Sequence, residues 1–214
     1  MAETTDMKKT PLTAFNAGLG GKMVEFAGYE MPIQFPEGVM KEHLHTRAKA
    51  GLFDVGHMGQ IILRPKSGRV EDAALALERL LPVDVLGLKV GRQRYGLFTD
   101  AKGGILDDLM FANRGDHLFL VVNASCKVQD IAHLRKNLSD VCDIEELADR
   151  GLIALQGPAA ESALAKLNPE VAAMSFMDVK DVTLVGAPCI VSRSGYSGED
   201  GYEISVPADK AVEL

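Results

Sequence analysis

Tryptophan is absent from this chain, and cysteine is scarce: Cys126, Cys142 and Cys189 stand far apart in the sequence. They form neither a CxxC pair nor an even-numbered framework, so free thiols in a reducing compartment are the default. No uninterrupted apolar stretch approaches the roughly 18 residues that a membrane span requires. Runs of basic residues are missing too, and the formal charge of −7 argues against nucleic acid as a partner. The opening Met1–Lys9 is polar and carries acids, unlike a signal peptide or an Arg-rich transit peptide, and the cytoplasm is the simple inference. Proline is sparse, at 9 residues, against 21 glycines. That balance points to many turns, and hence to a strand-rich or mixed architecture.

What is present is ordinary for a soluble globular protein. The chain is 47% hydrophobic and 25% charged, and 214 residues suffice for one large domain or two small ones. Thr10-Pro11-Leu12 has the form of a helix entry, running to Gly18. Gly18-Leu-Gly-Gly-Lys22 lacks the spacing of a nucleotide fingerprint and reads as a turn. Met23–Ala27 reads as a strand, and Gly28–Pro36 as an irregular loop with two prolines. From Glu37 the period becomes helical, with Val39, Met40, Leu44 and Ala48 on one face and Gly51 as a stop. His43 and His45 diverge on such a helix and have no partner at ligand spacing, so no metal is expected there.

Beyond Gln60 the order is strand (Gln60–Leu63), helix (Gly68–Leu81), two strands around Gly103-Gly104, strand (His117–Asn123), helix capped by Ser125, and strand (Val141–Leu147). This is close to the split βαβ order of ferredoxin-like folds, with one extra strand. A second α+β unit follows: strand Gly151–Gln156, a helix opened by Gly157-Pro158, strands about Gly186-Ala187, strand Tyr202–Val206, and a helix begun at Asp209.

The chemistry concentrates in Ile105-Leu-Asp-Asp-Leu-Met-Phe111. Neighbouring strand residues point to opposite faces, so whichever face is the core, either Asp107 or Asp108 approaches it. An ionised carboxylate among Leu, Met and Phe is costly unless donors or a ligand meet it. Both faces are apolar, so periodicity does not choose between the two.

Five ordered stretches share one resemblance: Lys22–Pro32, Gly51-Leu-Phe-Asp-Val-Gly-His-Met-Gly59, Gly103-Gly-Ile-Leu-Asp-Asp-Leu109, Leu155-Gln-Gly-Pro158 and Ser192-Arg-Ser-Gly-Tyr-Ser-Gly-Glu-Asp-Gly-Tyr-Glu203. Together they resemble the aminomethyltransferase, or T-protein, family of the glycine cleavage system. The resemblance implies an α+β fold of ferredoxin-like lobes. The first lobe is discontinuous, 1–59 and 148–214, and 60–147 form an inserted lobe. It implies Asp108 as the catalytic carboxylate, with Met58, Tyr95 and Asn123 lining a folate pocket and Tyr196 and Glu203 on the pterin.

Tetrahydrofolate is the implied cosubstrate and the lipoylated H-protein the implied partner, in the cytoplasm or, in a eukaryote, the mitochondrial matrix. The alternatives are a folate-binding relative of the iron–sulfur assembly type and a folate-dependent demethylase. Gly56 replaces a usual Ser, and Ala173 falls where a Tyr can stand. The resemblance places the rest of the first lobe, an Arg that reaches the folate and a third lobe beyond Leu214, so the 214 residues alone are expected to lack turnover.

Overall fold

The computed structural model describes residues 7–214; the reading of the N-terminal tail falls in part outside them. In chain order the elements are α1 (Thr13–Gly18), β1 (Met23–Phe26), β2 (Tyr29–Pro32), α2 (Val39–Ala48) and β3 (Gly51–Asp54). Then come β4 (Gly59–Pro65), α3 (Val70–Glu78), β5 (Gln93–Thr99), β6 (Ile105–Asn113), β7 (Leu118–Val122), α4 (Lys127–Leu138) and β8 (Cys142–Glu146). The chain continues through β9 (Arg150–Gln156), α5 (Ala160–Leu164), a 3-10 turn (Pro169–Ala173), β10 (Val179–Leu184), β11 (Ala187–Arg193), β12 (Gly201–Pro207) and a 3-10 turn (Ala208–Lys210). The fold is a mixed one, of sheets with covering helices.

Two compact units result. One comprises the described residues up to His57, Asp149–Phe176 and Asp181–Leu214; the other comprises Met58–Ala148 and Met177–Lys180. In the second, the sheet order is β5-β6-β7-β4-β8. Without β5 this is the 4-1-3-2 order of a ferredoxin-like sheet, and β5 is the extra edge strand, hairpinned to β6. Helices α3 and α4 bury Ala73, Leu77, Ile131, Leu134 and Leu138 against Ile61, Leu63, Phe98, Phe111 and Leu120. Each Leu, Ile and Phe among them contributes roughly 1.5–3 kcal/mol by leaving water. Residues 177–180 join this unit through local chemistry that leaves no periodic trace. Gln93 donates its backbone N–H to the Met177 carbonyl (2.9 Å), Val179 donates to that of Gly91 (2.8 Å), and Arg92 pairs with Asp178.

The first unit carries a sheet in the order β10-β11-β12-β9-β3. Ile153, Val191, Tyr202, Ile204 and Val206 form its core with Leu164, Val171 and Val182. Tyr202 is fully buried, and its hydroxyl donates to the Val171 carbonyl at 3.1 Å.

Several local expectations are corrected. Gly28–Pro36 is not wholly a loop, because Tyr29–Pro32 pairs with Met23–Phe26. The connection is Ala27-Gly28, with φ of 52° and 81°. Both values suit a two-residue hairpin turn, though Ala at the first position gives no turn signal. Likewise β10 and β11 turn on Val185-Gly186 (φ 44° and 73°), one residue earlier than Gly186-Ala187. Strand β3 was unforeseen; it adds to the sheet edge through Gly51–Asp54 opposite Ile153–Gln156.

Thr10 does not cap α1. Its hydroxyl donates to Asp54 Oδ2 (2.6 Å), where Asn16 Nδ2 also donates (2.9 Å), tying that helix to the end of β3. Ser125 does not cap α4 either; the residue before the helix is Cys126, with no side-chain cap. The helix begun at Asp209 is a single 3-10 turn. In α2 the apolar stripe is exposed, Met40 by 69%, and Thr46 alone is buried. His43 and His45 on that helix are exposed.

Candidate functional site

In the second unit the neighbouring strands β6, β7 and β4 bring Asp108, Asn123 and Met58 into one row. Leu109 pairs with Val122, and Gly59 pairs with Val122 from the other side. One step beyond that register stand Asp108, Asn123 and Met58. Leu97 of β5 lies opposite Asp108, and Tyr95 lies opposite Met110 two residues along. Register also settles the faces of the two aspartates. Asp107 is opposite Phe98, which is fully buried under the helices. Asp108 therefore lies on the other face, with Tyr95, which is half exposed.

The Asn123 amide sits between them. Its Nδ2 donates to Asp108 Oδ1 at 2.8 Å, to Asp107 Oδ1 at 3.1 Å and to the Asp108 carbonyl at 3.1 Å. The turn that starts this strand is built by Asp100. Its Oδ1 accepts from the backbone N–H groups of Lys102 and Gly104, both at 2.8 Å, while Gly103 takes φ of 80°. The glycine pair thus fixes where β6 begins, and with it the position of both carboxylates.

Behind Asp107, on the helix-covered face, lies Asp130 of α4. It is 1% exposed, and neither of its oxygens, nor Asp107 Oδ2, meets a donor. Burial, then the neighbouring Asp107 and Asp108, push the Asp130 carboxyl up to about 8. Sequence reasoning missed this residue; its only signal is an acid on the inner side of an amphipathic helix, beside Ile131 and Leu134.

In the first unit, Glu203 occupies the middle of β12, between Ser192 of β11 and Ala154 of β9. Alternation turns its neighbours Tyr202 and Ile204 into the core and Glu203 to the opposite face, where it is partly buried. Burial pushes its carboxyl up to about 7, and none of the described residues donates to it. Below the ordinary glutamate range both folded and unfolded forms hold the proton. As pH rises toward 7 the unfolded chain ionises first, so stability is lost across that interval. Glu203→Gln should flatten the fall by up to about 1.4 kcal/mol per pH unit between roughly pH 5 and 7. Urea midpoints measured against pH check this, and identical slopes in both proteins would remove the effect from Glu203.

Tyr196 is 91% exposed, on the loop that precedes β12. Its position is set by Gln156, 2% exposed, at the end of β9. Gln156 Oε1 accepts from the Tyr196 N–H (2.8 Å), the Ser197 N–H (3.3 Å) and the Ser197 hydroxyl (3.3 Å). Its Nε2 donates to the Ser194 carbonyl at 3.3 Å. A Cβ on Gly201 would stand 2.4 Å from that Nε2, so glycine is required for the close approach. Arg47 holds the loop's outer side, donating to the Ser197 carbonyl (2.6 Å) and pairing with Glu199 (3.0 Å). The Leu155-Gln-Gly-Pro158 and Ser194–Gly201 stretches are therefore two parts of one device.

Gln156→Leu should cost about 1–3 kcal/mol, because it strands buried N–H and C=O groups. It should also raise amide exchange in residues 194–200. A variant with wild-type protection there would show that the loop is held by other contacts.

The cleft in the first unit between α2 and β3, about 670 Å³, is lined by Asn16, Ile33, His45, Leu52 and Phe53 among others. None of Met58, Tyr95, Asp108, Asn123, Tyr196 or Glu203 lines it. Among the described residues no group of His, Cys, Asp and Glu is placed to hold a metal ion, and no helix is long and apolar enough to cross a membrane.

Residues 12–214 match the GCVT N-terminal domain model. The chain is 43% identical to the mitochondrial aminomethyltransferase of Dictyostelium discoideum, with all of this chain aligned to 54% of that protein. It is 40% identical to the aminomethyltransferase of Geobacillus thermodenitrificans, covering 97% of this chain and 56% of the relative. The crystal structure of glycine cleavage system aminomethyltransferase T from Bartonella henselae superposes with a TM-score of 0.89 at 38% identity, over 98% of this chain and 56% of that one. The chain spans about half the length of the curated relatives it matches. A family model that covers nearly every described residue and a shared fold at this identity lead to one conclusion: the chain belongs to the GCVT N-terminal domain family.

Proposed function

We propose that the protein carrying this chain is the tetrahydrofolate-dependent aminomethyltransferase of a glycine cleavage system, working in the cytoplasm or, in a eukaryote, the mitochondrial matrix. Its donor is the aminomethyl group held through sulfur on the lipoyl arm of the H-protein. The carbon–sulfur and carbon–ammonia bonds break, and two bonds form from that carbon to folate nitrogens. The two protons those nitrogens lose leave with ammonia and the carrier thiol. The products are methylenetetrahydrofolate, ammonia and the dihydrolipoyl carrier.

One observation carries the reading best. Glu203 is a strand-centre carboxylate with no donor among the described residues, raised to about 7 by burial. An aminopyrimidine edge offers two parallel N–H donors that match a carboxylate, giving orientation as well as affinity. Tyr196, exposed on its held loop, supplies an aromatic face for the pterin. The family resemblance assigns Met58, Tyr95 and Asn123 to the reacting end, and Asp108 to the place where positive charge develops as ammonia leaves. A fixed carboxylate stabilises that charge and holds or removes the attacking amine's proton.

The test is a turnover assay with aminomethyl-lipoyl H-protein. Ammonia release should depend on tetrahydrofolate and match methylenetetrahydrofolate formed. Folate binding without release would favour a folate-binding relative, and turnover of a free N-methyl amine would favour a demethylase.

A further inference from the structure

Asp130 lies outside every role assigned so far, although it is among the most buried polar side chains of its unit. Three carboxylate oxygens meet no donor there: both of Asp130 and Oδ2 of Asp107. Three ionised carboxylates, of which only Asp107 and Asp108 share the Asn123 amide, would repel one another in a poorly solvated site. A single proton on Asp130, directed at Asp107, removes one charge and satisfies two of the three oxygens.

We propose that Asp130 is a positioning residue of the transfer site: it keeps a proton and donates it to Asp107 Oδ2, fixing Asp107 and, through the Asn123 amide, the carboxylate of Asp108. The hydrogen-bonded line then runs through the sheet, from α4 on the helix-covered face to Asp108 on the other. Asn123 spends one N–H on each aspartate (3.1 and 2.8 Å). An unpinned Asp107 would leave that amide free to follow either carboxylate. This role rests on the proposed transfer reaction, whereas the proton itself does not.

The titratable groups around Asp130 are few. Asp107 and Asp108 face it from β6, and both raise its affinity for the proton, after burial itself. Cys126, just before α4, has its thiol pushed up by burial, with smaller contributions from Asp107 and Asp130.

Two measurements separate the proton from the reaction. Carbon-13 NMR of the aspartate carboxyl groups, assigned by the signal lost in Asp130→Asn, should show Asp130 titrating near pH 8 in the unliganded protein. A midpoint in the ordinary aspartate range would overturn the proposal, whatever the protein catalyses. In the transfer assay Asp130→Ala should lose about tenfold or more in kcat, with folate affinity little changed. Asp130→Asn, which keeps a donor toward Asp107, should recover most of that loss. It should also lack the fall in kcat expected of the wild type above about pH 8. If the Asn variant keeps that fall, or is as slow as Ala, Asp130 does not position the site. If Ala does not fold, the carboxyl titration and the pH profile of Asn still decide.

Discussion

Asp108→Asn is expected to lower kcat by about a hundredfold or more while leaving tetrahydrofolate affinity nearly unchanged. The substitution is close to isosteric, and a side-chain carbonyl oxygen remains to accept from the Asn123 amide, so the pairing of β6 with its neighbours survives. On the proposed mechanism, what disappears is the negative charge beside the carbon that is losing ammonia. An interaction made mainly in the transition state lowers kcat and kcat/KM together, and the two should fall in parallel. Asp107→Asn provides the comparison. Asp107 faces Phe98 and the helices, away from the face of Tyr95 and Asp108, so its loss should be milder. Kinetics on both variants, with folding checked by circular dichroism, decide the matter. If Asp107→Asn is the more damaging, the two roles are reversed.

Glu203→Ala should weaken tetrahydrofolate binding by about ten- to a hundredfold, the equivalent of roughly 1.5–3 kcal/mol for hydrogen bonds to a charged acceptor. The unliganded protein should not suffer, because Glu203 has no partner among the described residues to lose. Removing a carboxyl that burial holds near 7 relieves a desolvation cost. Stability at neutral pH should therefore hold or rise while affinity falls. Calorimetry gives the affinity and urea denaturation the stability. A variant that loses stability yet binds folate normally would make Glu203 a structural residue.

Much of this was legible in the sequence because the relevant signals are periodic. The order from Gln60 to Leu147 follows from the switch between two-residue and 3.6-residue periods, and it matches the sheet that forms. What escaped was held by contacts with no period. Strand β3 is only Gly51–Asp54, too short for alternation to show. The Ala27-Gly28 and Val185-Gly186 turns put a residue with a Cβ at positive φ, which tertiary pairing imposes and local preference does not announce.

The same limit applied to the site. Alternation placed Asp107 and Asp108 on opposite faces but could not say which face is covered; the pairing of Phe98 with Asp107 does. Gln156 could be read as part of a motif, yet its reason lies 40 residues on, at the Tyr196 amide. Asp130 was invisible, since a lone acid in a helix is ordinarily solvated. The exposed stripe on α2 misleads in the other direction, because helical periodicity reports an apolar face and not what covers it.

The most direct measurement is a crystal structure of the protein carrying this chain with tetrahydrofolate bound. The account predicts the Glu203 carboxylate in two hydrogen bonds with the aminopyrimidine edge, the Tyr196 ring against the pterin, and Asp108 beside the reacting nitrogens. Folate seated instead in the cleft between α2 and β3, away from Glu203 and Asp108, would contradict it.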